Sequence, residues 1–137
     1  MSMHSVLIID DEIDVREAIR RVLERAGFSV RTADGATDGL ELLRLLSSDV
    51  VITDIIMPKI DGVEGIACIR KEFPAVRIIA ISGGGNFGIA AYKPHAITTS
   101  AYLAAAERAG AHLVLTKPFE SADLLQSVEQ VLGVGHA

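Results

Sequence analysis

The chain has 137 residues, half of them apolar, a formal net charge of −5 and a single cysteine, Cys68. That length is one ordinary domain with room for a buried core, and an acidic balance with no basic stripe argues against nucleic acid or an anionic membrane as partner. One cysteine excludes an internal disulfide and a cysteine-built metal site. The start of the chain shows no signal pattern and no apolar run approaches the ~18 residues of a membrane span, so the expected location is cytoplasmic.

The first apolar run, Val6–Ile9, is short and β-branched, which suits a strand. Val15, Ala18, Ile19, Val22, Leu23 and Ala26 then repeat at three and four, the period of a helix face, and Gly27 stops it. Phe28–Thr32 is the second strand, and Leu40, Leu43 and Leu46 form the second helical stripe. Val50–Thr53 is the third strand, followed by a helix carrying Val63, Ile66, Ala67, Cys68 and Ile69 and ended near Pro74. On that helix Cys68 is expected to be a small core residue. Val76–Ile81 is the fourth strand; Tyr102, Leu103, Ala105, Ala106 and Ala109 form the fourth helix, closed by Gly110. Leu113–Thr116 is the fifth strand, and Leu124, Leu125, Val128, Val131 and Leu132 mark the last helix. All strands but the second are continuously apolar, which implies burial on both faces. Strand and helix alternate five times, so the expected fold is α/β: a flavodoxin-like doubly wound (βα)5 sandwich with a five-stranded parallel sheet of order 2-1-3-4-5. A barrel would need about 250 residues. The expected organisation is one domain over 1–137, with no output domain.

In open α/β sheets ligands bind beyond the carboxyl ends of the strands, so the residues that close each run are informative. Strand one closes on Asp10-Asp11, strand three on Asp54, strand four on Ser82 and strand five on Lys117. The strand order brings these into one crevice. Three carboxylates at ~4 Å repel by roughly 1–4 kcal/mol per pair in a watery site, so one stays protonated or a cation joins them. Oxygen ligands favour Mg²⁺ or another hard divalent ion. Lys117 then offers a point charge to a phosphate oxygen, Ser82 a hydroxyl, and Asp54 a nucleophilic carboxylate.

These residues resemble response-regulator receiver domains of two-component signalling, in particular the single-domain type typified by the chemotaxis regulator. The match rests on Asp10-Asp11, on Asp54-Ile55-Ile56-Met57-Pro58 with Asp61-Gly62, on Ser82-Gly83 and on Lys117-Pro118-Phe119, and it covers nearly the whole chain. The resemblance implies that Asp54 is the phosphorylation site. It implies that Asp10, Asp11, Asp54 and the backbone carbonyl of Ile56 hold Mg²⁺, that Lys117 binds the phosphate and that Ser82 swings towards it. Pro58 and Gly62 would shape the loop before helix three. The donor would be a histidine kinase, a phosphotransfer protein or a small acyl phosphate, and the output would be contact between a downstream protein target and the face of helix four, strand five and helix five.

Plainer readings exist. Asp10-Asp11 suit a helix N-terminus, Lys117-Pro118 a helix-entry turn, and His4, His95, His112 and His136 show no ligand spacing. Lys93-Pro94 is no rival to Lys117: it lies 11 positions beyond Ser82, fewer than the dozen or so residues a parallel crossover needs. The glycine-rich Ser82–Gly88 lacks the nucleotide-binding G-x-x-x-x-G-K-[ST] pattern. Two departures from the family stand out. Gly83–Ser100 is longer than usual, with four glycines and Thr98-Thr99-Ser100 as helix caps, and is expected to form a mobile flap or partner surface. Val114 replaces the aromatic residue three positions before the lysine, so readout by a turning ring, unless Tyr92 or Tyr102 supplies it, does not run unchanged. Ile56 and Gly84 offer no side chain to position a water, which predicts slow self-dephosphorylation. The alternatives are a receiver-like interaction module that takes no phosphate and an aspartyl-phosphate hydrolase. The hydrolase is disfavoured because Ile56 stands where its second acid would be. The expected protein is not an enzyme beyond its own phosphorylation and dephosphorylation.

Overall fold

The computed structural model describes residues 4–55, 62–82 and 104–133. Its strands are β1 (Ser5–Ile9), β2 (Ser29–Ala33), β3 (Val50–Asp54), β4 (Arg77–Ser82) and β5 (Leu113–Thr116). Its helices are α1 (Ile13–Arg25), α2 (Ala36–Leu45), α3 (Gly62–Glu72), α4 (helical over residues 104–109) and α5 (Ser121–Leu132). The five strands form one parallel sheet in the order β2-β1-β3-β4-β5, as the alternation of elements predicts.

The period of two along the central strands divides the core into two layers. Leu7, Ile9, Val51, Ile78 and Ala80 face one way and pack with Leu43 of α2, Ile66 and Ile69 of α3 and Ala106 of α4. Val6, Ile8, Val50, Ile52, Ile79 and Ile81 face the other way against Ile19 and Leu23 of α1 and Leu124 and Val128 of α5. Each fully buried aliphatic side chain contributes roughly 1.5–3 kcal/mol, and the layers hold β1 and β3 side by side at the centre of the sheet.

Three sequence expectations are corrected. Strand five is not buried on both faces: Leu113, Val114 and Leu115 are half-buried and Thr116 is exposed, because β5 pairs only with β4 among the described residues. Cys68 is exposed on α3; the buried face runs through Gly62, Gly65, Ile66 and Ile69, and the helical period turns Ala67 and Cys68 outward. Leu46 lies past the end of α2 and is exposed, as are Ala18 and Ala26 of the first stripe. Gly27 does stop α1: its φ of 99° is left-handed, a conformation that costs glycine little. No helix among the described residues is long and apolar enough to cross a membrane.

Candidate functional site

The carboxyl ends of β1, β3 and β4 and the turn after β5 meet at one edge of the sheet. Asp10 follows β1 directly and is buried. Its backbone is fixed from both sides: its N–H donates to the Ala33 carbonyl at 3.1 Å, and its own carbonyl accepts from the Arg16 guanidinium at 2.7 Å. Its carboxylate is divided. Oδ1 accepts the Glu12 N–H at 2.9 Å, one residue before α1 begins, so Asp10 does serve the helix entry. Oδ2 is buried with no hydrogen-bond partner. Burial raises the pKa of Asp10, and the charges of Asp11 and Glu12 add to that; the Glu12 N–H and Lys117 oppose it.

Asp54 is the last residue of β3 and is buried. Ladder pairing with β4 sets it opposite Ile81, and the next N–H, of Ile55, donates to the Ile81 carbonyl. Asp11 is exposed. One carboxylate oxygen from each of Asp10, Asp11 and Asp54 lies within 4.8 Å of the others. Ser82 is the last residue of β4, buried and opposite Thr116, and its carbonyl accepts the Lys117 N–H at 3.3 Å. That pairing carries Lys117 to the same edge, and the Lys117–Pro118 peptide is cis. The Lys117 ammonium stands 3.8 Å from Asp54 Oδ2 and 3.9 Å from both Asp10 Oδ2 and Glu12 Oε1. Each contact is worth roughly 1–4 kcal/mol of attraction before desolvation.

The structure therefore brings together Asp10, Asp11, Asp54 and Lys117, with Ser82 at the end of the adjoining strand. Ile56, Met57, Pro58 and Asp61 lie outside the described residues, as do Gly83–Ser100 with Gly84, Tyr92, Lys93-Pro94 and His95, and also Tyr102 and His136. Gly62 opens α3 against the backbone of Asp54 and Ile55, and its N–H donates to the Ile55 carbonyl at 2.9 Å. A Cβ there would collide with the carbonyl oxygens of both residues. Two contributors were not foreseen. Glu12 adds a third carboxylate to Lys117, and its place after the acid pair was the available signal. Arg16 anchors Asp10, and nothing in its sequence position sets it apart from the other polar residues of α1. A cavity of about 570 Å³ lies beside the cluster between α1 and α5. Lys117 lines it together with Val15, Ile19, Phe119 and Leu124, while the clustered aspartates do not.

Fold and site together define a class: doubly wound α/β domains with an acidic pocket and a lysine at the carboxyl edge of the sheet. The family model for the response regulator receiver domain matches residues 6–129, and the chain belongs to that family. It is 36% identical over 132 residues to the C4-dicarboxylate transport transcriptional regulatory protein DctD of Pseudomonas aeruginosa, covering 94% of this chain and 25% of that protein. It is 30% identical over 130 residues to the response regulator receiver protein CpdR of Brucella abortus, covering 95% of this chain and 98% of that one. Among solved structures, the receiver domain protein from Clostridium thermocellum superposes with a TM-score of 0.78 at 32% identity, covering 96% and 95% of the two chains. The chain thus spans about a quarter of DctD and nearly all of CpdR.

Proposed function

We propose that the protein is a stand-alone response regulator, a single domain in the cytoplasm, which takes a phosphoryl group on Asp54 and thereby switches a protein-binding face. The observation that carries this reading is the Lys117 ammonium, carried in by the end of β5, lying between the buried carboxylates of Asp10 and Asp54 at the ends of the neighbouring strands β1 and β3. Likeness to CpdR over nearly its whole length supports the stand-alone form.

Asp10, Asp11 and Asp54, with the carbonyl of Ile56, would hold Mg²⁺. The fit rests on the orphaned Asp10 Oδ2 and the all-oxygen donor set. When bound, the ion neutralises charge on the transferring phosphoryl oxygens. An Asp54 carboxylate oxygen attacks phosphorus in line. With an acyl phosphate the breaking P–O bond leaves its electron pair on the departing carboxylate; with a phosphohistidine the P–N pair returns to the imidazole. Lys117 meets one phosphoryl oxygen and Ser82 donates its hydroxyl to another. The upstream partner is a histidine kinase or phosphotransfer protein, and the downstream one is a protein target. Val114 is half-buried against the core beneath α2, α3 and α4, so the signal travels without an aromatic ring at that position.

Incubation with Mg²⁺ and acetyl phosphate, followed by intact mass, tests this. The expected result is a gain of one phosphoryl group, absent in Asp54→Asn. No gain from acetyl phosphate or from any phosphohistidine donor would leave the unphosphorylated interaction module as the reading.

A further inference from the structure

We propose that Glu12 is a positioning residue that holds Lys117 back from Asp54 and slows phosphoryl entry. The inference rests on the phosphoacceptor reading of Asp54. Lys117 is nearly buried, its side chain 13% exposed, and its ammonium has no hydrogen-bond partner. Its three carboxylate contacts, at 3.8–3.9 Å, are all too long for hydrogen bonds. The ammonium is therefore balanced between charges and not fixed by a directional bond, and a change in any one of them shifts it.

The three carboxylates differ in how they are held. Asp10 and Asp54 are buried at strand ends, with side chains 1% and 5% exposed. Glu12 is 42% exposed, stands at the N-cap of α1 and makes no capping bond with its side chain. Among the described residues Lys117 is its one ion-pair partner. Glu12 thus draws the ammonium towards solvent and away from the carboxylate that receives the phosphoryl group. It also sits part-exposed beside the exposed Asp11 at the rim, where an anionic donor meets their charge. Both effects are electrostatic at a part-exposed site, so both are modest and screened by salt.

The test is the rate of phosphorylation by acetyl phosphate with Mg²⁺ for wild type, Glu12→Asp, Glu12→Gln and Glu12→Lys. At low salt Glu12→Gln is expected to react about two- to fivefold faster than wild type, Glu12→Lys faster still, and Glu12→Asp close to wild type. At about 1 M salt, where the screening length is ~3 Å, the differences are expected to collapse. A metal-free measurement accompanies it: the shift of the urea midpoint caused by Glu12→Gln is expected to change when Lys117 is Met, because the relief of Asp10 is common to both backgrounds and the loss of the Lys117 contact is not. Equal or slower reaction of Glu12→Gln overturns the proposal, as does a rate gain that ignores salt or a midpoint shift of the same size in wild type and in Lys117→Met. Wild type that takes no phosphoryl group overturns the phosphoacceptor reading itself, a separate outcome. Circular dichroism confirms that each variant is folded, and the Glu12→Lys rate decides the matter if Glu12→Gln is not.

Discussion

A missing methyl group helps to place the Asp54 carboxylate. Gly62 touches the carbonyls of Asp54 and Ile55, and no other residue type fits there without moving the end of β3. Asp54 is thereby held from two sides, by the ladder with β4 and by the first turn of α3. Gly62→Ala is expected to destabilise the protein by about 1–3 kcal/mol through overpacking, measured by urea unfolding. It is expected to slow phosphorylation more than its stability loss explains, because the carboxylate is displaced. Gly35, where a Cβ meets open space, provides the control: Gly35→Ala leaves the phosphorylation rate within error of wild type. The same scale explains Asp10. One of its oxygens is committed to the helix entry and the other is left for the site, so a single side chain has room for both the capping reading and the proposed metal.

At the scale of elements, β5 is the strand that brings Lys117 to the crevice, and it is the least buried of the five. Its entry is secured by His112, which sits between α4 and β5. The His112 N–H donates to the Ile78 carbonyl at 2.8 Å, and its Nδ1 accepts the Ile78 N–H at 3.0 Å. Only the neutral imidazole with its proton on Nε2 can accept there. Partial desolvation of the ring, then the charges of Arg70 and Arg77, lower its pKa from 6.5. A histidine whose folded pKa lies below its unfolded value contributes its full stability above about pH 6.5 and loses it as the pH falls through the folded pKa. Wild type is therefore expected to be more stable than His112→Gln at pH 7.5, and the gap is expected to narrow by pH 5.5, read from paired urea titrations. A gap that widens on acidification would contradict this assignment.

For the molecule as a whole, the acid cluster is a local cost carried by a large aliphatic core. The raised pKa of Asp10 means that its folded value lies above its unfolded one. Stability from this group is full below about pH 3.8 and is lost as the pH rises through the folded pKa. Near neutrality, without metal, the ionised carboxylate therefore weakens the fold, and Asp10→Asn is expected to raise the metal-free unfolding midpoint at pH 7. Divalent metal should reverse the ranking. An ion at a hundredfold its Kd adds about 2.7 kcal/mol to wild type, and Asp10→Asn is expected to forgo most of that gain. Thermal unfolding with and without Mg²⁺ measures both, and a metal-free Asp10→Asn less stable than wild type would overturn the account.

The order of elements was legible in the sequence, because β-branched runs and stripes at three and four are dictated by the geometry of strand and helix themselves. The polar ends of the strands were legible for the same reason: a parallel sheet sends all its carboxyl ends to one edge, so Asp10, Asp54, Ser82 and Lys117 were bound to meet. The sequence by itself thus determined the fold class and most of the candidate site. What only the tertiary structure decided depends on packing between elements. The outward turn of Cys68 follows from which face of α3 meets the sheet, and the half-burial of β5 from its having one paired neighbour. The collision that bars a side chain at Gly62 follows from how closely α3 approaches β3. The sharing of Lys117 with Glu12 follows from distances of 3.8–3.9 Å among side chains far apart in the chain. No local pattern encodes those contacts, since each is set by where two separate elements come to rest.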